Sequence, residues 1–204
     1  MTPLQIAAGL NIAIVAYFLG SIPWGLILAR AAGHDVRREG SGNIGATNVR
    51  RVAGTPLGVI TLILDMAKGA VPAILATRIF PPGTPAGELL VSAVILLAIL
   101  GHIYPVFLRF REGGKGVATA AGGFLAVSPA GVLVALLVFV LFVCITSRVS
   151  VGSLAAVAAL PVILWEATGS GAITFGAAVA GVLIAVRHKD NIRRLIEGTE
   201  PPAS

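Results

Sequence analysis

Charge is scarce in this sequence. Only 12% of its 204 residues are Asp, Glu, Lys or Arg, while 56% are hydrophobic. A soluble globular domain carries about 25% charged residues. Half that density cannot cover a water-exposed surface, so lipid must cover much of the chain; its mean hydropathy is +0.94. Cysteine is scarcer still. Cys144 stands alone inside an apolar run, which excludes a disulfide framework and a Cys-based metal site and leaves a small core residue. The three histidines lie far apart and no carboxylate group joins them, so no metal-ligand spacing exists. No cleavable signal peptide is expected. The first apolar stretch, Leu4 to Ala32, is too long for a signal core and has no basic segment before it. The net charge of +6 does not imply nucleic-acid binding, because the basic residues sit in short loops between apolar runs, the pattern that orients membrane proteins.

What is present is a series of apolar stretches at 4–32, 53–80, 88–108, 116–127, 129–147, 149–166 and 170–186. A bilayer span needs about 20 mostly apolar residues. The 25 glycines suit close helix packing in lipid. Arg30, Arg37, Arg38, Arg50 and Arg51 follow the first stretch; Arg109, Arg111 and Lys115 follow the third. Arg148 follows the fifth, and Arg187, Lys189, Arg193 and Arg194 follow the last. The other junctions hold little charge, so the basic set belongs to the cytoplasm. The Arg109–Lys115 cluster and Arg148 then share a side, and only an even number of crossings joins them. The short stretch 116–127 should therefore cross too, as a short or re-entrant helix. The expected fold is all-α: a polytopic membrane protein of seven transmembrane helices, one of them short, N-terminus outside and C-terminus inside. A single domain is expected over 1–198. A tail follows over 199–204, and the composition from Gly198 to Ser204 reads as disordered.

Four polar segments interrupt this pattern. Glu39-Gly-Ser-Gly-Asn-Ile-Gly-Ala-Thr-Asn-Val-Arg-Arg51 offers Gly42 and Gly45 for backbone conformations in which N–H groups converge on an anion. Ser41, Asn43, Thr47 and Asn48 add donors, and Arg51 adds a fork matched to phosphate oxygens. The segment should lead into the second helix, whose N-terminus favours negative charge; the alternative is an ordinary Gly/Ser/Asn-rich loop. In Arg109-Phe-Arg-Glu-Gly-Gly-Lys-Gly-Val-Ala-Thr119, Gly114 and Gly116 flank Lys115 before a helix. This is not a Walker A loop, since Arg109 stands five before Gly114 and Gly116 follows Lys115. ATP hydrolysis is thus unsupported, and a basic juxtamembrane turn is the alternative. In Arg187-His-Lys-Asp-Asn-Ile-Arg-Arg194, His188, Asn191 and Arg194 share a helix face. His188 suits an acid, a base or a phosphate donor; a stop-transfer flank explains the arginines but not His188 and Asn191. Asp65 and Lys68 lie at membrane depth, where ionisable groups face a partner or a polar cavity; the pair also serves by neutralising itself. His102 reads as a packing residue, and His34 and Asp35 as solvated.

Together and in this order the segments resemble one family. Ser41-Gly-Asn-Ile-Gly-Ala-Thr-Asn-Val-Arg-Arg51 is similar to the first motif of the bacterial acyl-phosphate:glycerol-3-phosphate acyltransferases, the PlsY family. Asp65-Met-Ala-Lys-Gly69 resembles the second motif. Gly101-His-Ile-Tyr-Pro105 with Gly113-Gly-Lys-Gly-Val-Ala-Thr119 resembles the third, and Arg187-His-Lys-Asp-Asn191 with Arg193-Arg-Leu-Ile-Glu-Gly198 the C-terminal signature. The likeness runs from Leu19 to Glu200. One position departs: Ile44 stands where the family commonly has Pro, a difference that bears on loop shape.

The resemblance implies a seven-helix enzyme of the bacterial inner membrane, with its active site at the cytoplasmic face. It would transfer a fatty acyl group from acyl phosphate to the 1-hydroxyl of glycerol 3-phosphate in phospholipid synthesis, with no cofactor and no metal. Expected partners are these two substrates, membrane lipid and other phospholipid-synthesis enzymes. The expected catalytic set is Ser41, Arg51, Lys115, His188 and Asn191. Gly42, Asn43, Gly45, Thr47, Asn48, Lys68, Gly114, Gly116, Thr119, Ser150 and Ser153 are expected to bind substrate. The resemblance implies that a substrate phosphate takes the hydroxyl proton; His188 is the protein alternative, and Ser41 as nucleophile ranks last because no His/Asp pair activates it. The His-x4-Asp motif of acyltransferases that use acyl-CoA or acyl-carrier protein is missing. Glu39, Phe107 and Arg193 stand five after the three histidines. An organic-phosphate transporter is the rival reading. It should place its site near mid-membrane between repeats, whereas the donors here gather at one face.

Overall fold

Backbone N–H and C=O groups in hydrocarbon must be satisfied within the protein, so apolar runs become helices. The computed structural model describes residues 2–80 and 83–203, and all regular structure among them is helical. The elements are α1 (Pro3–Gly20), α2 (Trp24–Ala31), α3 (Ala46–Ala53), α4 (Thr55–Ile79) and α5 (Pro85–Ile103), the last followed by a 3₁₀ turn at Val106–Leu108. Then come α6 (Val117–Leu125), α7 (Pro129–Thr146), α8 (Val149–Thr168), α9 (Gly171–Arg187) and α10 (Lys189–Ile196).

Local chemistry sets the helix ends. Thr2 opens α1 in a capping box with Gln5, ahead of Pro3. The Ser128 and Ser170 hydroxyls accept the N–H groups of Gly131 and Ile173 at the starts of α7 and α9. The first apolar stretch breaks at Ser21–Pro23, where Pro23 has no N–H to continue a helix. The polar segment before Arg51 does not lead directly into the second span. It forms the separate helix α3, closed by Gly54 at φ +92°, a conformation that disfavours side chains.

Among the described residues, five segments are long and apolar enough to cross a membrane: Pro3–Ala31, Thr55–Ile79, Pro85–Leu108, Pro129–Thr146 and Val149–Thr168. The pair α9–α10, bent by 60°, makes a sixth if taken as one span. The remaining expected crossing is α6. It has nine residues, about 14 Å of helix against a hydrocarbon core of about 30 Å. Its neighbours cover it instead. A Cβ on Gly69 of α4 would lie 2.1 Å from the Thr119 carbonyl oxygen, and one on Gly122 of α6 would lie 1.9 Å from that of Met66. Two backbones therefore touch with no side chain between them.

Helix α5 is central, packed against α1, α4, α6 and α9. Ile95, Ile99, Phe124, Leu164 and Ile184 fill the main core. Large apolar side chains such as Leu137, Ile145 and Val162 point outward, as a lipid-facing surface requires. A second, small core of Leu26, Val36, Ile44 and Val49 lies under the first polar loop. Ile44 thus shapes that loop by burial.

Candidate active site

The first loop is built around Asn48. Its Oδ1 accepts the Ser41 N–H at 2.8 Å, and its Nδ2 lies 3.0, 3.1 and 2.9 Å from the carbonyl oxygens of Val36, Glu39 and Asn43. Asn43 Oδ1 in turn accepts the Gly45 N–H at 2.9 Å, just before α3 begins. Asn48, expected as a substrate donor, borders the site cavity, and its amide is bonded to the backbone that presents Ser41. We expect Asn48→Ala to cost about 1–3 kcal/mol for each buried group left unpaired, seen as a lower melting temperature in detergent.

Ion pairs tie this loop to the glycine turn. Arg37 Nη2 bonds Asp35 Oδ2 and its Nη1 bonds Glu112 Oε2, both at 2.7 Å. The Arg37 hydrogen bond holds the Asp35 carboxyl well below its ordinary range. His34 Nδ1 lies 3.0 Å from Glu39 Oε2. Asp35 and His34 are therefore paired rather than simply solvated.

Ser41, Asn43, Gly45, Thr47 and Arg51 face a cavity of about 470 Å³. Lys115 and Gly116 enter it from the glycine turn, and His188, Asn191 and Arg194 from the α9–α10 junction. The bend there leaves Asn191 and Arg194, three residues apart, facing the same space. Ser150 and Ser153 reach it from α8. Beyond this polar end the walls turn apolar, with Leu62 and Met66 from α4, Leu136 and Phe139 from α7, and Leu160 from α8. A smaller cavity of about 90 Å³ adjoins Ser41, Lys115 and Asn191, and adds Arg187 and Lys189.

The polar end is strongly cationic. Burial pulls the Lys115 ammonium down to about 8, with Arg194, Arg187 and Arg51 adding repulsion against the pull of Glu200. The His188 ring is fixed by Nδ1, 2.8 Å from the Ile184 carbonyl oxygen. A carbonyl only accepts, so Nδ1 carries the proton and the neutral ring keeps a lone pair on Nε2.

Fold and site together correspond to a known group. Residues 10–198 match the family model described as glycerol-3-phosphate acyltransferase. The chain belongs to the glycerol-3-phosphate acyltransferases. The acyltransferase is 47% identical over 188 residues to a glycerol-3-phosphate acyltransferase of Syntrophotalea carbinolica, covering 92% of this chain and 93% of that one. It is 48% identical to one from Geobacter sulfurreducens, over 91% of this chain and 93% of that. Two crystal structures of PlsY, described as an integral membrane glycerol 3-phosphate acyltransferase, share its fold. The glycerol 3-phosphate form matches at TM-score 0.90 and 41% identity, covering 96% of this chain and 95% of that. The lysophosphatidic acid form matches at TM-score 0.87 and 40% identity, with the same coverage.

Several expected contacts of the acyltransferase fall elsewhere. Lys68 does not face the cavity: its Nζ sits 2.9 Å from Asp65 Oδ1 and donates to the Ile22 carbonyl at 3.1 Å. Thr119 is wholly buried against α4, where the tight α4–α6 contact encloses it. Gly42, at φ +73°, serves the turn itself, and Gly114 lies under His102. Ser153 reaches the cavity, but its hydroxyl donates to the Val149 carbonyl at 3.0 Å. The tail, expected from its composition to be disordered, is described through Ala203 and bonded to the helices through Glu200 and Ala203; Ser204 lies outside the described residues. Glu200, missed in the sequence, is 6% exposed. Its Oε1 accepts from Ser150 Oγ and Asn191 Nδ2 at 2.6 Å each, and its Oε2 from Arg194 Nε at 2.7 Å. Arg187 was missed as well, and it donates to the carbonyls of Gly113 and Gly114. Arg194 was legible from its spacing to Asn191. Nothing local in the sequence marks Glu200.

Proposed function

We propose that this acyltransferase takes its acyl group from acyl phosphate and places it on the 1-hydroxyl of glycerol 3-phosphate. The products are 1-acyl-glycerol 3-phosphate and inorganic phosphate. One observation carries the reading: a single cavity joins a cationic, donor-rich end to an apolar groove between α4, α7 and α8. Both substrates bear phosphate and one bears a long chain, so each half of the cavity has its ligand. The PlsY crystal forms named for glycerol 3-phosphate and lysophosphatidic acid support the acceptor and the product.

In this reading Arg51, Lys115, Asn191 and Arg194 clamp phosphate and neutralise the charge that develops on the leaving group. Ser41 and Thr47 add hydroxyl donors. The attacking hydroxyl oxygen forms a bond to the acyl carbonyl carbon, and the carbon–oxygen bond to phosphate breaks. The hydroxyl proton passes to a substrate phosphate, whose second pKa of about 6 leaves it largely dianionic at neutral pH. His188 Nε2 is the protein group able to take that proton instead. Phosphate is already a good leaving group, so positioning supplies most of what remains. The basic loops around this end support a site and C-terminus in the cytoplasm and an N-terminus outside, in a bacterial inner membrane.

The test uses purified protein in detergent with glycerol 3-phosphate and palmitoyl phosphate, without ATP, CoA or metal, and palmitoyl-CoA as a parallel donor. Equal amounts of phosphate and lysophosphatidate from palmitoyl phosphate are expected. Product from palmitoyl-CoA alone would overturn the donor assignment and leave the family membership intact.

A further inference from the structure

Three buried ionisable side chains lie beneath this site without a part in the proposed chemistry. Asp65 and Lys68 on α4 and His102 on α5 are 2%, 5% and 4% exposed. Lys68 is consumed by Asp65 and by the Ile22 carbonyl at the α1–α2 break. His102 Nδ1 lies 3.7 Å from the same Asp65 oxygen and has no hydrogen-bond partner among the described residues. Asp65 and His102 both border the cavity that Lys115 enters. Ionisable groups at membrane depth are costly to keep, and apolar side chains would pack α4 on α5 as well.

His102 is also where α5 meets the glycine turn. The Gly114 N–H donates to the His102 carbonyl at 3.0 Å. A Cβ on Gly114 would lie 1.9 Å from His102 Nε2, so the imidazole rests directly on the Gly114 backbone. Arg187 also holds the turn, donating to the Gly113 and Gly114 carbonyls at 2.9 and 3.3 Å. The peptide that precedes Lys115 is thus held by both the His102 ring and the Arg187 guanidinium. Rotation of that ring moves Gly114 and the next residue, Lys115. Asp65 Oδ1 lies 3.7 Å from Nδ1, beyond hydrogen-bond distance but close enough for the carboxylate charge to orient the ring.

We propose that Asp65 and His102 form a positioning pair for Lys115. Asp65 sets the His102 ring, the ring sets the Gly113–Lys115 turn, and the turn aims the ammonium at substrate phosphate. The pair acts through Lys115 and rests on the reading of Lys115 as a phosphate clamp.

Two double-mutant cycles test this with the full chain in detergent: His102→Gln with Lys115→Ala, and Asp65→Asn with Lys115→Ala. Alone, His102→Gln and Asp65→Asn are expected to raise KM for glycerol 3-phosphate about ten- to hundredfold at little change in kcat, as a misplacement of up to 1 Å does. In the Lys115→Ala background each adds less than about twofold, because residues that act through a shared partner are not additive. A full additive loss in that background would overturn the pairing. So would unchanged KM in either folded single variant, or failure of both to fold, which would make the pair a packing element. Wild-type kinetics of Lys115→Ala alone would instead bring down the clamp reading.

Discussion

Replacing Lys115 by alanine lowers kcat/KM for glycerol 3-phosphate by about 10²–10³-fold, the usual loss for one preorganised donor at a reacting centre. The melting temperature in detergent stays the same, because among the described residues Lys115 makes no hydrogen bond or ion pair and its side chain borders the cavity. Its neighbours across the cavity are other cations and Glu200, so the ammonium is held ready for an external anion. Its pH behaviour checks the assignment independently. Lys115 titrates at about 8 and clamps phosphate only while protonated. The ammonium is therefore present below that value and lost as pH rises through it. Because kcat/KM reports the free enzyme, its profile should fall with an alkaline midpoint near the same value. Lys115→Arg should push that limb upward, since a guanidinium stays charged. An alkaline limb unmoved by Lys115→Arg would assign it to another group.

Glu200→Ala is expected to release the tail and loosen one wall of the site together. Three donors lose a charged acceptor at once, each such bond contributing about 1.5–3 kcal/mol before rehydration offsets part of the loss. We expect a net destabilisation of about 2–4 kcal/mol, read as a lower melting temperature and faster hydrogen exchange over 199–203. Activity should fall about tenfold, because Asn191 and Arg194 would no longer be held in line and misplaced groups catalyse poorly. The other ties of the tail are backbone contacts: the Thr199 and Glu200 N–H groups donate to the Arg194 carbonyl at 2.8 and 3.1 Å, Ala203 N–H donates to the Ser147 carbonyl at 2.8 Å, and Arg50 donates to the Ala203 carbonyl. Burial alone would raise the Glu200 carboxyl, but the bonds from Ser150, Asn191 and Arg194 outweigh it and hold it below the ordinary range. A depressed carboxyl stabilises the fold fully above its unfolded value, about 4.3, and the contribution disappears as pH falls through the folded value. Protection of the tail should therefore persist at neutral pH and fail only in stronger acid. Equal proteolysis of wild type and Glu200→Ala within the tail would refute this account.

The polar segments differed in how much of their role could be read directly. Ser41, Arg51, Lys115, His188 and Asn191 carry donor chemistry in their own side chains and sit at the ends of apolar runs, so residue type and position made them candidates, and the family resemblance singled them out. They all border the cavity. Asn48 and Thr119 carry the same chemistry but turn inward. Whether an amide faces a ligand or its own loop depends on carbonyl groups up to twelve residues away, and no spacing rule encodes that. Lys68 shows the same limit: its partner carbonyl, Ile22, lies at the break between α1 and α2, 46 residues away.

Composition and charge placement alone determined that this chain lives in a bilayer, with its basic loops gathered on one side. Lipid tolerates few charges, and those that remain must collect where water is, so the linear order of apolar and basic residues already contains that outcome. Only the tertiary structure decided that α6 packs backbone to backbone on α4, that Glu200 returns to the site, and that His102 rests on the turn bearing Lys115. Each of these depends on surfaces brought together from distant parts of the chain. The backbone contact at Gly69 and Gly122 and the bonds converging on Glu200 exist only once the helices have packed.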